Sequence, residues 1–382
     1  MKTICFVVNS RANYARIKTA IVAAKRNKKF NTVVVLGASG LLFNYGSIEP
    51  IMKEDGIEVD FKVYSVVSGD SPELMAKTTG LAIIELSSIF AKIQPDFVVS
   101  IADRYETLGT VIAASYMNIP VIHTQGGEIS GSIDESVRHA CTKLSHVHFP
   151  ATEQSAKVIE QLGEDPKSIF VTGCPSIDVV KQATDTPISN VLSKYKGVGN
   201  EINCDSDYIL VSQHSVTTSY LNARDQILQT LNAVQKLDRQ TIWLWPNIDS
   251  GSDAISKLLR EFREQHAENK ITFYRNFSAE DYARILRNCS CIIGNSSSGI
   301  RESAYLGTPS VIVGDRQFGR EHGKNVIFVK YDSNEIFKAA LQQISHGKYE
   351  SSDLFGTGDS GEKMISIIEN FMPSIQKVFY RS

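Results

Sequence analysis

An apolar run that halts at a glycine, Cys291-Ile292-Ile293-Gly294, leads into the segment G-N-S-S-S-G-I-R-E-S-A-Y-L-G-T-P spanning Gly294 to Pro309. That sequence admits few architectures. The run reads as a buried strand, Asn295 to Ser298 supply short polar side chains and free backbone N–H groups, and a helix begins near Gly299 and stops at Gly307-Thr308-Pro309. A strand passing through a small-residue turn into a helix N-terminus is a ready anion site, because unpaired N–H groups and the helix dipole point at one spot. Glu302 falls one turn inside that helix. A carboxylate beside a phosphate cradle suits the two hydroxyls of a ribose, so Ser296, Ser297 and Glu302 read as a nucleotide diphosphate clamp. Taken alone, the residues also fit a serine-rich capping turn.

The N-terminus repeats this build with other chemistry. Thr3 to Val8 is a continuous apolar strand, Asn9-Ser10-Arg11 makes a turn, and Ala12 to Lys25 carries apolar residues at helical spacing. Arg11 stands at the helix start, where a guanidinium can fork onto a phosphate. Two such units, one opening each half of a 382-residue chain, predict two nucleotide-binding-type domains, and the length favours the same count. A net charge of −2 gives no electrostatic reason to expect nucleic acid or an anionic membrane as partner. No apolar stretch approaches the roughly 20 residues that span a bilayer. Met1-Lys2-Thr3 runs straight into a strand, so no signal peptide is expected. The six cysteines show no paired framework and fit reduced, mostly buried thiols in the cytoplasm. No metal is expected: His146-Val147-His148 is the one tight histidine pair, and it lies on a strand pattern.

Strands and helices alternate along the whole chain, with strands at 97–102, 120–124, 147–150, 169–172, 208–211, 241–245, 271–273, 311–313 and 326–329, among others. This predicts an α/β fold of two facing Rossmann-like domains with parallel sheets and the active site in the interdomain cleft. Gly173-Cys174-Pro175 followed by the polar stretch 182–207 marks the boundary, giving domains 1–176 and 177–360. A last helix, Gly361 to Phe379, is expected to cross back to the first domain.

In such folds chemistry sits at the carboxyl ends of strands. Asp103-Arg104 ends one strand of the first domain, and Gln125-Gly126-Gly127-Glu128 ends the next, followed by Ser132-Ile133-Asp134. A lone Asp-Arg pair is usually a surface ion pair, and an acid after Ser-x-x usually belongs to a cap. Three carboxylates on neighbouring strand ends facing a nucleotide clamp point instead to acid/base groups around a sugar. In the second domain, His214, Asn247, Asn276 and Arg316 follow successive strands.

Arg11-Ala12-Asn13-Tyr14, Ala102-Asp103-Arg104, His123-Thr124-Gln125-Gly126-Gly127-Glu128, Gly131-Ser132-Ile133-Asp134, Gly173-Cys174-Pro175-Ser176, Pro246-Asn247-Ile248-Asp249 and Gly294-Asn295-Ser296-Ser297 with Arg301-Glu302 together resemble the hydrolysing UDP-N-acetylglucosamine 2-epimerases of sialic acid biosynthesis. The similarity runs from the first strand to about residue 370. It implies two facing domains as in two-domain glycosyltransferases, a homodimer or homotetramer, no cofactor, and conversion of UDP-sugar and water to N-acetylmannosamine and UDP. It implies elimination to a 2-acetamidoglucal followed by hydration. Asp103, Glu128, Asp134 and His214 would then be catalytic. Arg11, Arg104, Gln125, His214, Asn247, Asn276, Ser296, Ser297, Glu302 and Arg316 would bind the UDP-sugar.

Two positions depart from that pattern. Many members carry an acid where this chain has Asn13 and a glutamate where it has Gln125, which cannot act as a base. The second departure also fits a subgroup acting on a UDP-linked diacetamido-trideoxyhexose, whose C4 and C6 would meet loops such as Tyr64 to Pro72. A glycosyltransferase of the same build would normally show one base and not a rim of three carboxylates. A non-hydrolysing epimerase fits the Gly-Gly-Glu and Ser-Ile-Asp motifs less well. A nucleotide-sugar sensor has no use for Asp103 and Asp134.

Overall fold

Side chains of the first strand, β1 (Lys2–Val8), alternate between two buried faces: Ile4, Phe6 and Val8 enter one apolar cluster, Cys5 and Val7 another. A strand covered on both faces must be apolar throughout, which is why the run at residues 4–8 is unbroken. Each fully buried Ile or Phe of such a run contributes about 1.5–3 kcal/mol relative to exposure. The computed structural model describes residues 1–43, 47–69, 71–183, 185–247, 249–266 and 268–381. The chain divides into two units. The first comprises Met1–Ile129, Ile133–Val179 and Phe355–Ser382, and the second Ser130–Ser132 with Val180–Leu354.

In the first unit, β1 is joined by β2 (Phe30–Gly37), β3 (Phe61–Val63), β4 (Phe97–Ile101), β5 (Val121–Thr124) and β6 (Val147–Phe149) in the order β3-β2-β1-β4-β5-β6, every pair parallel. The second unit carries β7 (Val198–Gly199), β8 (Tyr208–Ser212), β9 (Gln240–Leu244), β10 (Ile271–Tyr274), β11 (Cys291–Gly294), β12 (Ser310–Val313) and β13 (Val326–Val329) in the order β13-β12-β11-β8-β9-β10-β7. Among the described residues only β7 pairs antiparallel. Apart from β7 the two sheets share one doubly wound order. The chain reverses direction of build-up between β1 and β4, and again between β8 and β11. Crevices at such switch points are where ligands of open parallel sheets bind.

Several elements differ from the sequence expectation. The helix read over Ala12 to Lys25 is two helices, Arg11–Ala15 and Lys18–Arg26. The Arg16 and Ile17 amides close on carbonyls three residues back, and the break at Ile17 lets that side chain enter the core. Ile169 forms a single bridge to His148, and the expected strand 169–172 does not develop. The polar stretch 182–207 contains helix Ile188–Leu192 and β7. The last helix, Ser360–Asn370, ends well before Phe379. Pro373 cannot continue it, and Phe371 turns extended to set its ring edge-on to Phe170 at 5.3 Å.

Helix Pro72–Ile93 corrects another expectation, because at 22 residues with mean hydropathy 1.3 it meets the length and composition needed to cross a membrane. It buries Thr78, Ala82, Leu86 and Phe90 and leaves Leu81 and Ile84 exposed. Among the described residues no disulfide forms, and Cys5, Cys141, Cys174, Cys289 and Cys291 are buried.

Candidate active site

The switch point of the first unit is tied together by an amide. Asn13 is buried; its Oδ1 accepts from the Asn9 N–H at 3.3 Å and its Nδ2 donates to the Ile101 carbonyl at 3.2 Å. It thus spans the ends of β1 and β4. An acid at this position could accept but not donate, so the first departure from the family pattern has a structural explanation. Ser10 caps the Arg11–Ala15 helix by accepting from the Asn13 N–H, which sets Arg11 in the first turn beyond β1.

At the ends of β4 and β5 the backbone is strained. Ala102 and Gln125, neither of them glycine, have φ of +61° and +60°. Strain of this kind persists only where surrounding contacts enforce it, and it concentrates at functional sites. Here His123 on β5 supplies one such contact, its Nε2 donating to the Ala102 carbonyl at 2.8 Å, while Nδ1 accepts from Thr142 Oγ1 at 3.3 Å. Burial is the main reason that His123 is held neutral, its pKa brought down to about 4. Asp103 immediately follows Ala102, and Gln125 is itself the second strained position.

The residue that organises this rim is one the sequence reading did not single out. Helix Ile133–Leu144 carries Asp134, Arg138 and Thr142 at intervals of four, hence on one face. Arg138 is completely buried. Its Nε and Nη2 both donate to Asp103 Oδ2, the former at 3.2 Å, and its Nη1 donates to the Glu128 carbonyl at 2.6 Å. Arg16 Nη1 lies 3.9 Å from the other Asp103 oxygen. Burial works against the Arg138 charge, but the carboxylates of Asp103, Glu128 and Asp134 outweigh it and push the guanidinium up. The three candidate acid/base residues are therefore grouped around one cation. The spacing of Arg138 from Asp134 is the available signal, but spacing alone does not say which way a helix face points.

The remaining first-unit candidates have varied surroundings. Arg104 directs Nε and Nη2 at the fully buried carboxylate of Glu106, both at 3.2 Å, a fork-to-fork pair. Gln125 is buried; its Nε2 donates to Cys174 Sγ at 3.3 Å, and its Oε1 has no hydrogen-bond partner among the described residues. His146 and His148 do not share a ligand. His146 Nδ1 accepts from the Val121 N–H, and His148 Nε2 donates to Glu164. Among the described residues no group of three His, Cys, Asp or Glu side chains is arranged to hold a metal.

In the second unit the turn after β11 corrects the expectation of free amides. The N–H groups of Asn295 and Ser296 both donate to the Ser212 carbonyl at the end of β8, and that of Ser298 to Ser296 Oγ. Gly294, at φ +138°, permits this because a Cβ there would fall 2.2 Å from the Ser212 oxygen. The helix that follows, Arg301–Leu306, is only six residues long. What the turn presents is side-chain chemistry. Ser296 Oγ and Tyr282 OH both contact Ser298 Oγ, and Glu302, in the first helical turn, has a buried Oε2 with no partner among the described residues. A buried lone acceptor is costly unless a donor meets it, and ribose hydroxyls would be such donors.

His214, beyond β8, exchanges two backbone bonds with the Asn295 side chain. Its Nδ1 accepts from the Asn247 N–H at 3.2 Å, which leaves the ring proton on Nε2 as a donor. Arg316 Nη1 donates to the Asn295 carbonyl at 3.1 Å. Asn276 Oδ1 is buried without a partner among the described residues. Ser297 follows Ser296 in the same turn and is half-buried. Ile248 of the Pro246–Asp249 motif and Asp70 of the Tyr64–Pro72 loop lie outside the described residues. The serines, Glu302, Arg316 and His214 thus cluster at the β8/β11 switch point, while Asn247 and Asn276 follow β9 and β10.

Comparison with known proteins bears on the family and the fold. A family model described as UDP-N-acetylglucosamine 2-epimerase matches residues 22–369. The chain is 29% identical over 373 residues to a UDP-N-acetylglucosamine 2-epimerase of Neisseria meningitidis serogroup B, covering 97% of this chain and 96% of the relative. It is 29% identical over 369 residues to a UDP-N,N'-diacetylbacillosamine 2-epimerase (hydrolyzing) of Legionella pneumophila, again covering 97% and 96%. Its fold is similar to that of the Methanocaldococcus jannaschii UDP-GlcNAc 2-epimerase solved in complex with UDP-GlcNAc and UDP, with a TM-score of 0.78, 17% identity, and coverage of 96% of this chain and 99% of that one.

Proposed function

The chain belongs to the UDP-N-acetylglucosamine 2-epimerase family and is an enzyme, and from that premise we propose that it is of the hydrolysing kind, turning UDP-N-acetylglucosamine and water into N-acetylmannosamine and UDP. The observation that carries this reading is the gathering of Asp103, Glu128 and Asp134 around the buried Arg138 at the ends of β4 and β5. A carboxylate takes the proton from C2 of the hexose. The C1–O bond breaks with its electron pair passing to the β-phosphate of UDP, and a C1=C2 double bond forms. Water then delivers hydroxyl to C1 while a proton returns to C2 on the opposite face.

Departure of the diphosphate needs its growing charge stabilised. Ser296, Ser297, Arg11, Arg316 and the His214 Nε2–H are the donors assigned to it. Glu302 takes the ribose hydroxyls, and Asn247 and Asn276 line the nucleotide. Arg104 and Gln125 orient the sugar. Gln125 has no basic oxygen, so the base is one of Asp103, Glu128 and Asp134.

Incubation with UDP-N-acetylglucosamine tests the reading. Free N-acetylmannosamine with stoichiometric UDP supports it, and UDP-N-acetylmannosamine as the product overturns the hydrolysing assignment. In deuterated water, product carrying deuterium at C2 supports elimination; retention of the original hydrogen rejects it.

A second reading takes UDP-N,N'-diacetylbacillosamine as the substrate. The amide at Gln125 favours it, as does the Legionella relative, named for that substrate and matched at the same 29% identity as the Neisseria one. Turnover of the two UDP-sugars side by side decides between them.

A further inference from the structure

Buried arginine–carboxylate pairs are commonly structural, and replacing one with apolar residues is often neutral or stabilising. The Arg138 pair is different in what it holds. Two of its partners, the Asp103 side chain and the Glu128 carbonyl, belong to residues of the acid/base rim. Both partners lie within three residues of a strained position, Ala102 or Gln125. The same helix face supplies Thr142, which orients His123, which in turn holds the Ala102 carbonyl. One helix therefore fixes the ends of two strands through two buried contacts, and Arg138 is the charged one.

We propose that Arg138 is a positioning residue for the epimerase reaction, acting on the hexose only through Asp103 and the Glu128 turn. The inference rests on the 2-epimerase reading. With its guanidinium wholly buried, Arg138 serves neither as acid nor as base. It fixes the rotamer of Asp103 by placing two donors on a single carboxylate oxygen, so that the second oxygen, Oδ1, faces Arg16 at 3.9 Å. An ion pair of this kind also favours the charged form of the carboxylate.

The test uses the full chain with Arg138→Met and Arg138→Lys, alone and combined with Asp103→Asn. Arg138→Met is expected to lower kcat by about 100-fold or more, the scale of a mispositioned general acid or base, with UDP affinity changed less than about threefold. Arg138→Lys, keeping the charge but not the fork, should recover about tenfold of that loss. The acid limb of the kcat–pH profile should move to higher pH in Arg138→Met. In the Asp103→Asn background, Arg138→Met should cost less than about tenfold further, since only the Glu128 turn is then left to position.

Additive losses, or a folded Arg138→Met enzyme with wild-type kcat, overturn the proposal. So does a parallel fall of kcat, UDP affinity and thermal midpoint, which marks a purely structural role. Should Arg138→Met fail to fold, Arg138→Lys decides by the same split between kcat and UDP affinity. A wild-type chain inactive on both UDP-sugars rejects the reaction reading itself. The Arg138–Asp103 coupling is then judged by carboxyl 13C titration of Asp103, and an unmoved midpoint in the Arg138 variants rejects it.

Discussion

His214 and Asn295 hold each other by two reciprocal hydrogen bonds, both 2.8 Å: the His214 N–H donates to Asn295 Oδ1, and Asn295 Nδ2 donates to the His214 carbonyl. Asn295 also collects Arg316 and Gln317 on its own carbonyl. This one fully buried amide therefore ties the turn after β8 to the turn after β11, across the switch point of the second unit. Asn295→Asp removes the donor and sets a carboxylate against a carbonyl. Stability should fall by about 1–3 kcal/mol, with a matching loss of UDP affinity. Denaturant unfolding and calorimetric UDP titration measure both, and neither changing would mean that the pair holds nothing.

Asp103→Asn should lower turnover by two or more orders of magnitude, the range for a general acid or base. UDP affinity should barely change, because the proposed reading assigns the carboxylate to the sugar and not to the nucleotide. Some stability is also lost, since Arg138 keeps a buried charge with a weaker partner. Loss of UDP binding in this variant, or full activity, rejects the division of labour.

Glu302→Ala should act in the other direction. Removing the carboxylate that the proposed reading assigns to the ribose hydroxyls should cost about 1.5–3 kcal/mol of UDP binding, the range for a charged hydrogen bond. The relevant readout is the calorimetric dissociation constant, and an unchanged value excludes Glu302 from the nucleotide site.

Gln125→Glu restores the commoner family residue and is expected to give a folded, active enzyme. The new carboxyl would be buried beside Cys174, where the uncharged acid is favoured. Its stability relative to wild type should therefore decline as pH rises. A variant that folds but does not turn over shows that the amide N–H is itself required.

Acid should weaken the first unit in two stages. His123 is kept neutral by burial, with its pKa near 4. The unfolded chain takes up that proton below about pH 6.5. Stability is whole above this value and falls, by up to about 3 kcal/mol, as pH drops through the window to about 4. His148 is shifted the same way, again mainly by burial. Glu164 then follows. Burial would raise it, but hydrogen bonds from His148, Lys143 and Lys377 hold it down to about 2. Its contribution is present above about pH 4.5 and is lost as pH falls towards 2. Urea unfolding of wild type and His123→Gln at pH 8 and 4.5 checks the first stage; the wild type should lose more between the two.

The strands were legible where burial on both faces forces unbroken apolar runs, as in residues 4–8 and 291–293. Turn residues that follow them, Asp103, Gln125, His214 and Ser296, were legible for the same reason: the strand end is unmistakable, and parallel sheets put ligands there. Short elements such as Phe61–Val63 and Ile188–Leu192 left no periodicity long enough to read. The free amides expected at residues 295–298 were misread because their acceptor, the Ser212 carbonyl, lies on a strand some 80 residues earlier in the chain.

What the sequence alone determined is the alternation of strand and helix, the parallel sheets and the stations at which polar side chains leave the strands, because all of these follow from local periodicity and turn chemistry. Tertiary structure decided which charges meet. The spacing of Asp134, Arg138 and Thr142 shows that they share a helix face, but not whether that face meets solvent or the ends of β4 and β5. Packing of the helix on the sheet settles it, burying Arg138 where Asp103 and the Glu128 carbonyl help to meet the cost of its charge. Tertiary structure likewise makes Asn13 a tie between the ends of two strands, a role that no local pattern encodes.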